Sequence, residues 1–315
     1  MNKFFFIALL FFTIALASLL VFQSFIDKPE KVIIEKEVLP QMSVLPVHSV
    51  VIPKKLNFAD ESVPLDVFYV KESLDRELLV NTYWHSSSLM LFKRANRWFP
   101  VIEPILKKNG IPDDFKYLAL IESGLQNVSS PAGAKGFWQF LKNTGREYGL
   151  EVNSGIDERL NVEKSTEAAC RYLNNSYEKY GDWTLVASAF NAGNRRINQA
   201  LEKQKVDSYY DLLLNDETSR YLFRILAIKT IFNDPETYGF QLTDQDLYPP
   251  IPTQTVTVKK TIKDLVRFAQ DHNITYKTLK YFNPWILKDY LPNRSRRTYI
   301  IKIPEEGKLE YSNLN

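Results

Sequence analysis

Residues Tyr117–Thr144 read YLALIESGLQNVSSPAGAKGFWQFLKNT. The run Tyr117–Ile121 is apolar and predicts a short helix packed into a core. Glu122 follows directly, and Gly124 is the residue type that most readily ends a helix. The small residues at 129–134 then predict a tight turn. The stretch therefore predicts one carboxylic acid at the end of an apolar helix, facing a turn.

The overall composition excludes several classes of protein. The chain has 315 residues, 45% of them hydrophobic, which is enough for one to three packed domains. A net charge of +3 argues against a chain-wide nucleic-acid binder. Its one cysteine, Cys170, permits no internal disulfide, and its three histidines are far apart in sequence. We therefore expect no metal site, no cofactor and no nucleic-acid partner.

The amino terminus predicts export. Phe4–Phe22 is interrupted only by Thr13 and Ser18, and it nearly reaches the length of a membrane-spanning helix. A cleavable signal peptide ending near Ala15–Ala17 is the alternative, but apolar residues continue past that site. We interpret residues 1–26 as an uncleaved anchor in the inner membrane, with the remainder of the chain in the periplasm.

The remaining chain divides by composition. Residues 27–70 contain five prolines and predict an extended linker. Residues 71–246 show apolar side chains at helical spacing and predict a mainly α domain. After a second proline-rich linker, residues 253–304 predict a small α+β module in the order β-α-α-β. This module is rich in lysine and arginine, which indicates either an acidic polymer as ligand or a solvated charged face. Residues 305–315 form a tail.

Glu122 is the candidate for acid catalysis. Cleaving a glycosidic bond requires a proton on the leaving oxygen, and an apolar setting keeps a carboxyl group protonated near neutral pH. Trp138 is expected to help wall such a pocket. Most glycosidases place a second carboxylate within roughly 5–9.5 Å of the first. No other acid occurs between Glu122 and Glu147. Nothing marks the later candidates, Asp157, Glu158 and Glu163, as partners. An ordinary surface charge at a helix end is the simpler alternative.

Four blocks of sequence resemble the soluble lytic transglycosylase family. They are Glu122-Ser123-Gly124, Ser130–Gln139 (SPAGAKGFWQ), Ala189–Gly193 (AFNAG) and Glu217–Tyr221 (ETSRY). The module at 253–304 resembles a LysM peptidoglycan-binding module, with Asn283-Pro284-Trp285 at its Asn-Pro turn. The resemblance implies a lysozyme-like α domain that cleaves between N-acetylmuramic acid and N-acetylglucosamine and leaves a 1,6-anhydro end. Peptidoglycan strands would be the partner, and the protein would act as a monomer.

The resemblance also implies roles for individual residues. Glu122 would be both catalytic acid and base, and the absence of a second carboxylate fits a reaction in which the substrate supplies its own nucleophile. The residues that would bind substrate or line the cleft are Ser130, Gln139, Phe190, Asn191 and Tyr221. The chain has Phe190 where the family usually has tyrosine. This departure leaves a non-catalytic peptidoglycan-binding scaffold as one alternative. A lysozyme-type hydrolase is the other alternative.

Overall fold

Helices dominate residues 48–240 of the protein. The computed structural model describes residues 48–314. The α-helices of residues 48–240 are α1 (Phe68–Tyr83), α2 (His85–Lys108), α3 (Lys116–Ser123), α4 (Lys142–Glu147), α5 (Val162–Tyr180), α6 (Trp183–Ala192), α7 (Asn194–Gln204) and α8 (Asp216–Asn233). We refer to residues 49–240 as the helical part. The prediction of a mainly α domain is therefore confirmed.

Side-chain caps set several helix starts. Asn161, Asp182 and Asn215 each accept a hydrogen bond from a backbone N–H in the first turn, at the starts of α5, α6 and α8 respectively. Such caps satisfy amide groups that have no partner inside the helix. Asp216, next to the cap Asn215, is the first helical residue of α8.

The short helix α3 runs through the centre of the helical part. It contacts α2 on one side and α8 on the other. Leu118 and Ala119 are completely buried, and Tyr117 and Leu120 are nearly so. An eight-residue helix is too short to be stable alone, so packing on these neighbours must hold it in place.

The segment before α1 is part of the core and not a free linker. A two-residue hairpin pairs β1 (Asn57–Phe58) with β2 (Glu61–Ser62), and Phe58 is fully buried against Phe115. Glu61 also accepts hydrogen bonds from two backbone N–H groups at the start of α6. The prediction of a spacer is therefore wrong for residues 50–67, because proline favours an extended chain but does not prevent that chain from packing. Residues 27–47 lie outside the described residues.

The second proline-rich segment is also fixed in place. Arg97 and Asn96 on α2 donate to the carbonyls of Pro249 and Tyr248 respectively. The Tyr248 N–H donates back to the carbonyl of Lys93. Residues 247–252 contain no helix or strand and follow the surface of α2.

The carboxy-terminal module, residues 253–304, has the predicted β-α-α-β order. Its elements are β3 (Thr253–Val258), α9 (Leu265–Asp271), α10 (Tyr276–Phe282) and β4 (Tyr299–Pro304). The strands pair antiparallel, with Thr253 opposite Pro304 and Val258 opposite Tyr299. Helix α9 begins only at Leu265, because Ile262 pairs with Leu291 and Asp264 caps the helix.

The turn Asn283-Pro284-Trp285 has a clear structural role. Asn283 is fully buried, and its side-chain amide donates to the carbonyls of Leu279 and Lys302. Its side-chain oxygen accepts from the Lys302 N–H, so Asn283 joins α10 to β4. Trp285 is buried and stacks on Tyr299.

A loop of the helical part packs into the carboxy-terminal module. Ile156 is buried in the module's hydrophobic core. The Asp157 N–H donates to the carbonyl of Trp285, and the Leu287 N–H donates to that of Gly155, both at 2.9 Å. Backbone pairing therefore joins the two parts directly.

The predicted membrane anchor, residues 1–26, lies outside the described residues. Within residues 48–314, no helix combines the length and the apolar character that crossing a bilayer requires.

Candidate active site

Glu122 lies in the last turn of α3, where the backbone turns sharply. Gly124 ends the helix with φ of +59°, and its N–H donates to the carbonyl of Leu120 at 2.8 Å. The next residue, Leu125, also has a positive φ, +54°, and its side chain is buried. Two consecutive left-handed residues direct the chain away from the helix axis. The half-buried Glu122 therefore lies at the end of α3.

Tyr221 is the direct partner of Glu122. It lies on α8, its side chain is 1% exposed, and its hydroxyl donates to Glu122 Oε1 at 2.5 Å. Burial, followed by the nearby charge of Glu122, raises the pKa of Tyr221 well above 10. The phenol therefore stays protonated and acts as a hydrogen-bond donor throughout the neutral range.

Burial is the largest influence on Glu122 and raises the pKa of its carboxyl group. The hydrogen bond from Tyr221 and the positive charge of Arg224 both lower that pKa, while the negative charge of Glu217 raises it further. The net effect is a raised pKa, so a larger fraction of Glu122 is protonated near neutrality than for a solvated glutamate.

The loop at 128–140 closes beside the end of α3. The Ser123 hydroxyl donates to the carbonyl of Phe137 at 2.9 Å and so ties the helix end to the loop. The Ser130 hydroxyl accepts from the Ala134 N–H, and the Gln139 side-chain amide donates to the carbonyls of Gly136 and Val128. These two predicted substrate-binding side chains thus help to shape the loop itself.

A buried ion pair supports the loop from the opposite side. Arg159 and Asp157 are 4% and 2% exposed and pair through two hydrogen bonds of 2.7 and 2.8 Å. Arg159 also donates to the carbonyls of Gly133 and Phe140. Charge-assisted hydrogen bonds to the middle and to the end of the loop make its conformation well defined.

Trp138 does not wall a pocket as expected. Its side chain is fully buried, and its indole N–H donates to the hydroxyl of Thr166 at 2.9 Å. Large aromatic side chains with a partner for their N–H are favourable core residues, and Trp138 supports the loop from beneath.

Phe190 and Asn191 lie at the end of α6. The Phe190 ring is partly buried and makes edge contacts with Trp138, Phe140 and Tyr172 at centroid distances of 5.2–6.1 Å. The side-chain oxygen of Asn191 accepts from the hydroxyl of Thr218 at 2.9 Å. Because Thr218 precedes Tyr221 by one helical turn, Asn191 fixes the part of α8 that carries the tyrosine.

The structure therefore joins some predicted site residues directly and others only indirectly. Glu122 and Tyr221 are in contact, Asn191 is joined to them through α8, and Phe190 lies beneath the loop that carries Gln139. Ser130 and Gln139 make their side-chain hydrogen bonds inside the loop. The roles predicted for these residues in substrate binding remain predictions.

Sequence reasoning does not identify the two charged groups that shift the pKa of Glu122. Glu217 and Arg224 flank Tyr221 at spacings of four and three, which places all three on one face of a helix. This spacing was the available signal. The suggested second acids are engaged elsewhere: Asp157 with Arg159, Glu158 with the Glu151 N–H, and Glu163 with Lys302.

Opposite pH shifts should follow from changing two neighbours of Glu122. Tyr221→Phe removes a hydrogen bond that lowers the pKa of Glu122, so the loss of activity with rising pH should move to higher pH. Glu217→Gln removes a charge that raises the same pKa, so the loss should move to lower pH. Rates of product release between pH 4 and 9, for both variants, measure this, and shifts in the same direction would contradict the assignment.

Two family models match parts of this chain. Residues 99–212 match the transglycosylase SLT domain, and residues 254–307 match the soluble lytic transglycosylase C-terminal LysM-like domain. The chain is 30% identical over 183 residues to membrane-bound lytic murein transglycosylase D of Escherichia coli K12. That match covers 56% of this chain but only 40% of the relative, so the chain spans less than half of that protein.

Two solved structures show weaker similarity. The 70 kDa soluble lytic transglycosylase of Escherichia coli has 20% sequence identity and a TM-score of 0.38, covering 48% of this chain and 26% of that one. An inactive mutant of lytic transglycosylase Slt from Pseudomonas aeruginosa has 18% identity and a TM-score of 0.35, covering 49% and 26%. Glu122, Ser130, Gln139, Phe190 and Asn191 fall within the matched SLT residues, whereas Tyr221 lies just beyond them.

In the described residues, no group of three or more His, Cys, Asp or Glu side chains is arranged to hold a metal ion. Residues 99–212 are thus similar to a transglycosylase SLT domain, and residues 254–307 are similar to the LysM-like domain at the carboxyl end of soluble lytic transglycosylases.

Proposed function

We propose that this protein is a peptidoglycan lytic transglycosylase with Glu122 as its catalytic residue. The single observation that carries the proposal is the position of Glu122 inside the SLT domain, half-buried and hydrogen-bonded to the buried Tyr221. The raised pKa of its carboxyl group supports the same role. The reaction would cleave the β-1,4 bond between N-acetylmuramic acid and N-acetylglucosamine without consuming water.

In the first step, protonated Glu122 donates its proton to the glycosidic oxygen as the bond from C1 of the muramoyl residue to that oxygen breaks. The leaving sugar departs with a new hydroxyl, and positive charge develops at C1. Tyr221 stabilises the carboxylate that remains, because a hydrogen bond to the charged form favours it. General acid catalysis of this kind contributes about 10²–10⁴-fold to a rate.

In the second step, the Glu122 carboxylate removes the proton from the C6 hydroxyl of the same muramoyl residue. The C6 oxygen forms a bond to C1, and the product carries a 1,6-anhydro ring. Protons balance, because Glu122 ends as it began. No second carboxylate is needed to activate water. Glu217, whose negative charge raises the pKa of Glu122, is exposed, and in our proposal it tunes that pKa.

The other predicted residues support this reaction in our proposal. Ser130 and Gln139 present polar groups on the loop beside Glu122, Asn191 positions α8, and Phe190 lines the cleft. We also propose residues 71–246 as the catalytic domain, extended at its amino end by residues 50–70, and residues 253–304 as the LysM-like module, followed by the tail at 305–315. The relative's printed name is membrane-bound. We accordingly propose a monomer in the cell envelope, anchored by residues 1–26.

Analysis of the products by mass spectrometry tests the proposal. The full chain, purified in detergent, should release muropeptides with 1,6-anhydro ends from isolated sacculi. Products with reducing muramic acid ends would instead show a lysozyme-type hydrolase. Binding to sacculi without any release, unchanged by Phe190→Tyr, would show a scaffold.

A further inference from the structure

A cavity lies where the helical part meets the carboxy-terminal module. Its volume is about 510 Å³, and neither Glu122 nor Tyr221 lines it. Helix α2, residues 125–127, the start of α5, the segment 248–253 and the end of α10 form its walls. This volume falls within the range typical of sites for small ligands.

The charge of the cavity is strongly positive. Arg94, Arg97, Lys280 and Lys302 line it, against one acid, Glu163, which pairs with Lys302. Among residues 48–314, no carboxylate lies within 4.0 Å of the charged groups of the other three cations.

These three cations are held by neutral groups. Arg94 donates to the carbonyl of Gly124, and Arg97 donates to the carbonyl of Pro249 and the hydroxyl of Tyr281. Lys280 donates to two backbone carbonyls near the end of α10. Burial lowers the pKa of Lys280, and the negative charge of Asp289 opposes that effect. Partly buried cations without a close carboxylate provide a favourable place for an anion.

The remaining walls are largely aromatic. Trp98 and Tyr248 line one side, and Tyr281, Phe282 and Trp285 line the other. Aromatic faces are suitable surfaces for the apolar faces of sugar rings, while cations bind carboxylates. The cavity thus combines the groups needed for a ligand that is both sugar-like and anionic.

We propose that this cavity binds a carboxylate-bearing sugar–peptide fragment of peptidoglycan at a site separate from the cleavage site. The inference rests on the proposed function, which supplies the ligand class. The stem peptide offers the carboxylates, and the muramoyl residue offers a ring face. Because the walls come from both parts of the protein, the ligand would contact the module and residues 125–127, which follow Glu122, at the same time.

Calorimetry tests this with the full-length Glu122→Gln variant, so that no turnover occurs. The probe is N-acetylmuramoyl-L-alanyl-D-glutamate, and its neutral diamide is the matched ligand. We expect the dicarboxylate to bind at least about tenfold more tightly than the diamide, with a preference that falls as salt increases. Equal binding of the two ligands would overturn the proposal.

Substitutions locate the binding. Adding Arg97→Gln and Lys280→Gln should weaken binding of the dicarboxylate at least about tenfold. Lys277→Gln, which changes an exposed lysine on the same helix that does not line the cavity, should leave it unchanged. Among the described residues that line the cavity, Glu163 is the one acid, and Glu163→Gln should tighten binding, which a loss of folding would not produce. Unchanged affinity in the double variant and in Glu163→Gln would place the ligand elsewhere and refute the inference.

The outcome is separable from that of the proposed function. Release of anhydro products without charge-dependent binding would refute only this inference. Charge-dependent binding at the cavity without anhydro products would support this inference and refute the proposed reaction.

Discussion

Glu122→Gln should lower the release of anhydro muropeptides by at least about 10³-fold. Glutamine has nearly the same shape as glutamic acid, but it can neither donate a proton to the glycosidic oxygen nor remove one from the C6 hydroxyl. Both proposed steps fail together. The Tyr221 hydroxyl can still donate to the side-chain oxygen at position 122, so the local packing should persist. The measurement is a time course of products from sacculi by mass spectrometry.

Thermal melting provides the accompanying stability test. Burial raises the pKa of Glu122 in the folded protein. A raised folded-state pKa means that the stability this group contributes is fully present below its unfolded pKa and is lost as pH rises through the folded pKa. Glutamine does not ionise, so the variant should melt at the same temperature as the parent at low pH and at the same or a higher temperature at neutral pH.

A matched substitution separates the chemical role from loss of charge. Glu178 is an exposed glutamate on α5, and Glu178→Gln removes the same charge from the surface. We expect full activity from that variant. If Glu122→Gln retained more than about a tenth of the parent activity while Glu178→Gln behaved as the parent, Glu122 would not be the catalytic acid.

The helical pattern and the module were readable from sequence because their signals are local. Apolar periodicity, glycine and proline stops, and capping residues act within a few positions of one another. They predicted α3 ending at Ser123 and the order of elements from residue 253 onward. Glu122 was identifiable in the same way, as an acid directly after a buried run.

Contacts between distant segments were not readable. The sequence predicts a linker at residues 57–62, because no local signal shows that Phe58 is buried against Phe115. The sequence predicts Trp138 in a pocket wall, because its hydrogen-bond partner Thr166 lies 28 residues away and cannot be identified locally. The influence of Glu217 on Glu122 likewise depends on how α8 packs against α3. Such facts follow from tertiary packing and become visible only in the structure.

Gly136→Ala should cause a large loss of stability, because it introduces a backbone clash in the loop beside Glu122. Gly136 has φ of +79°, and a Cβ there would lie 1.9 Å from the carbonyl oxygen of Arg159. That oxygen belongs to the backbone of a residue whose side chain is held by Asp157, so it cannot move freely. We expect a loss of at least about 3 kcal/mol, seen as a fall in melting temperature of roughly 6–12 °C.

Gly133→Ala is the matched control for this change. It lies in the same loop with φ of +81°, but nothing is within 4 Å of the added Cβ. Gly133→Ala should therefore lower the free energy of unfolding only by the cost of a left-handed backbone conformation at alanine, about 1–2 kcal/mol. The difference between the two variants isolates the clash with Arg159. Gly136→Ala should also reduce activity, because the Gly136 carbonyl accepts the hydrogen bond that holds the Gln139 side chain. Equal melting temperatures for the two variants would show that the loop can move away from Arg159, and that its rigidity does not position the site.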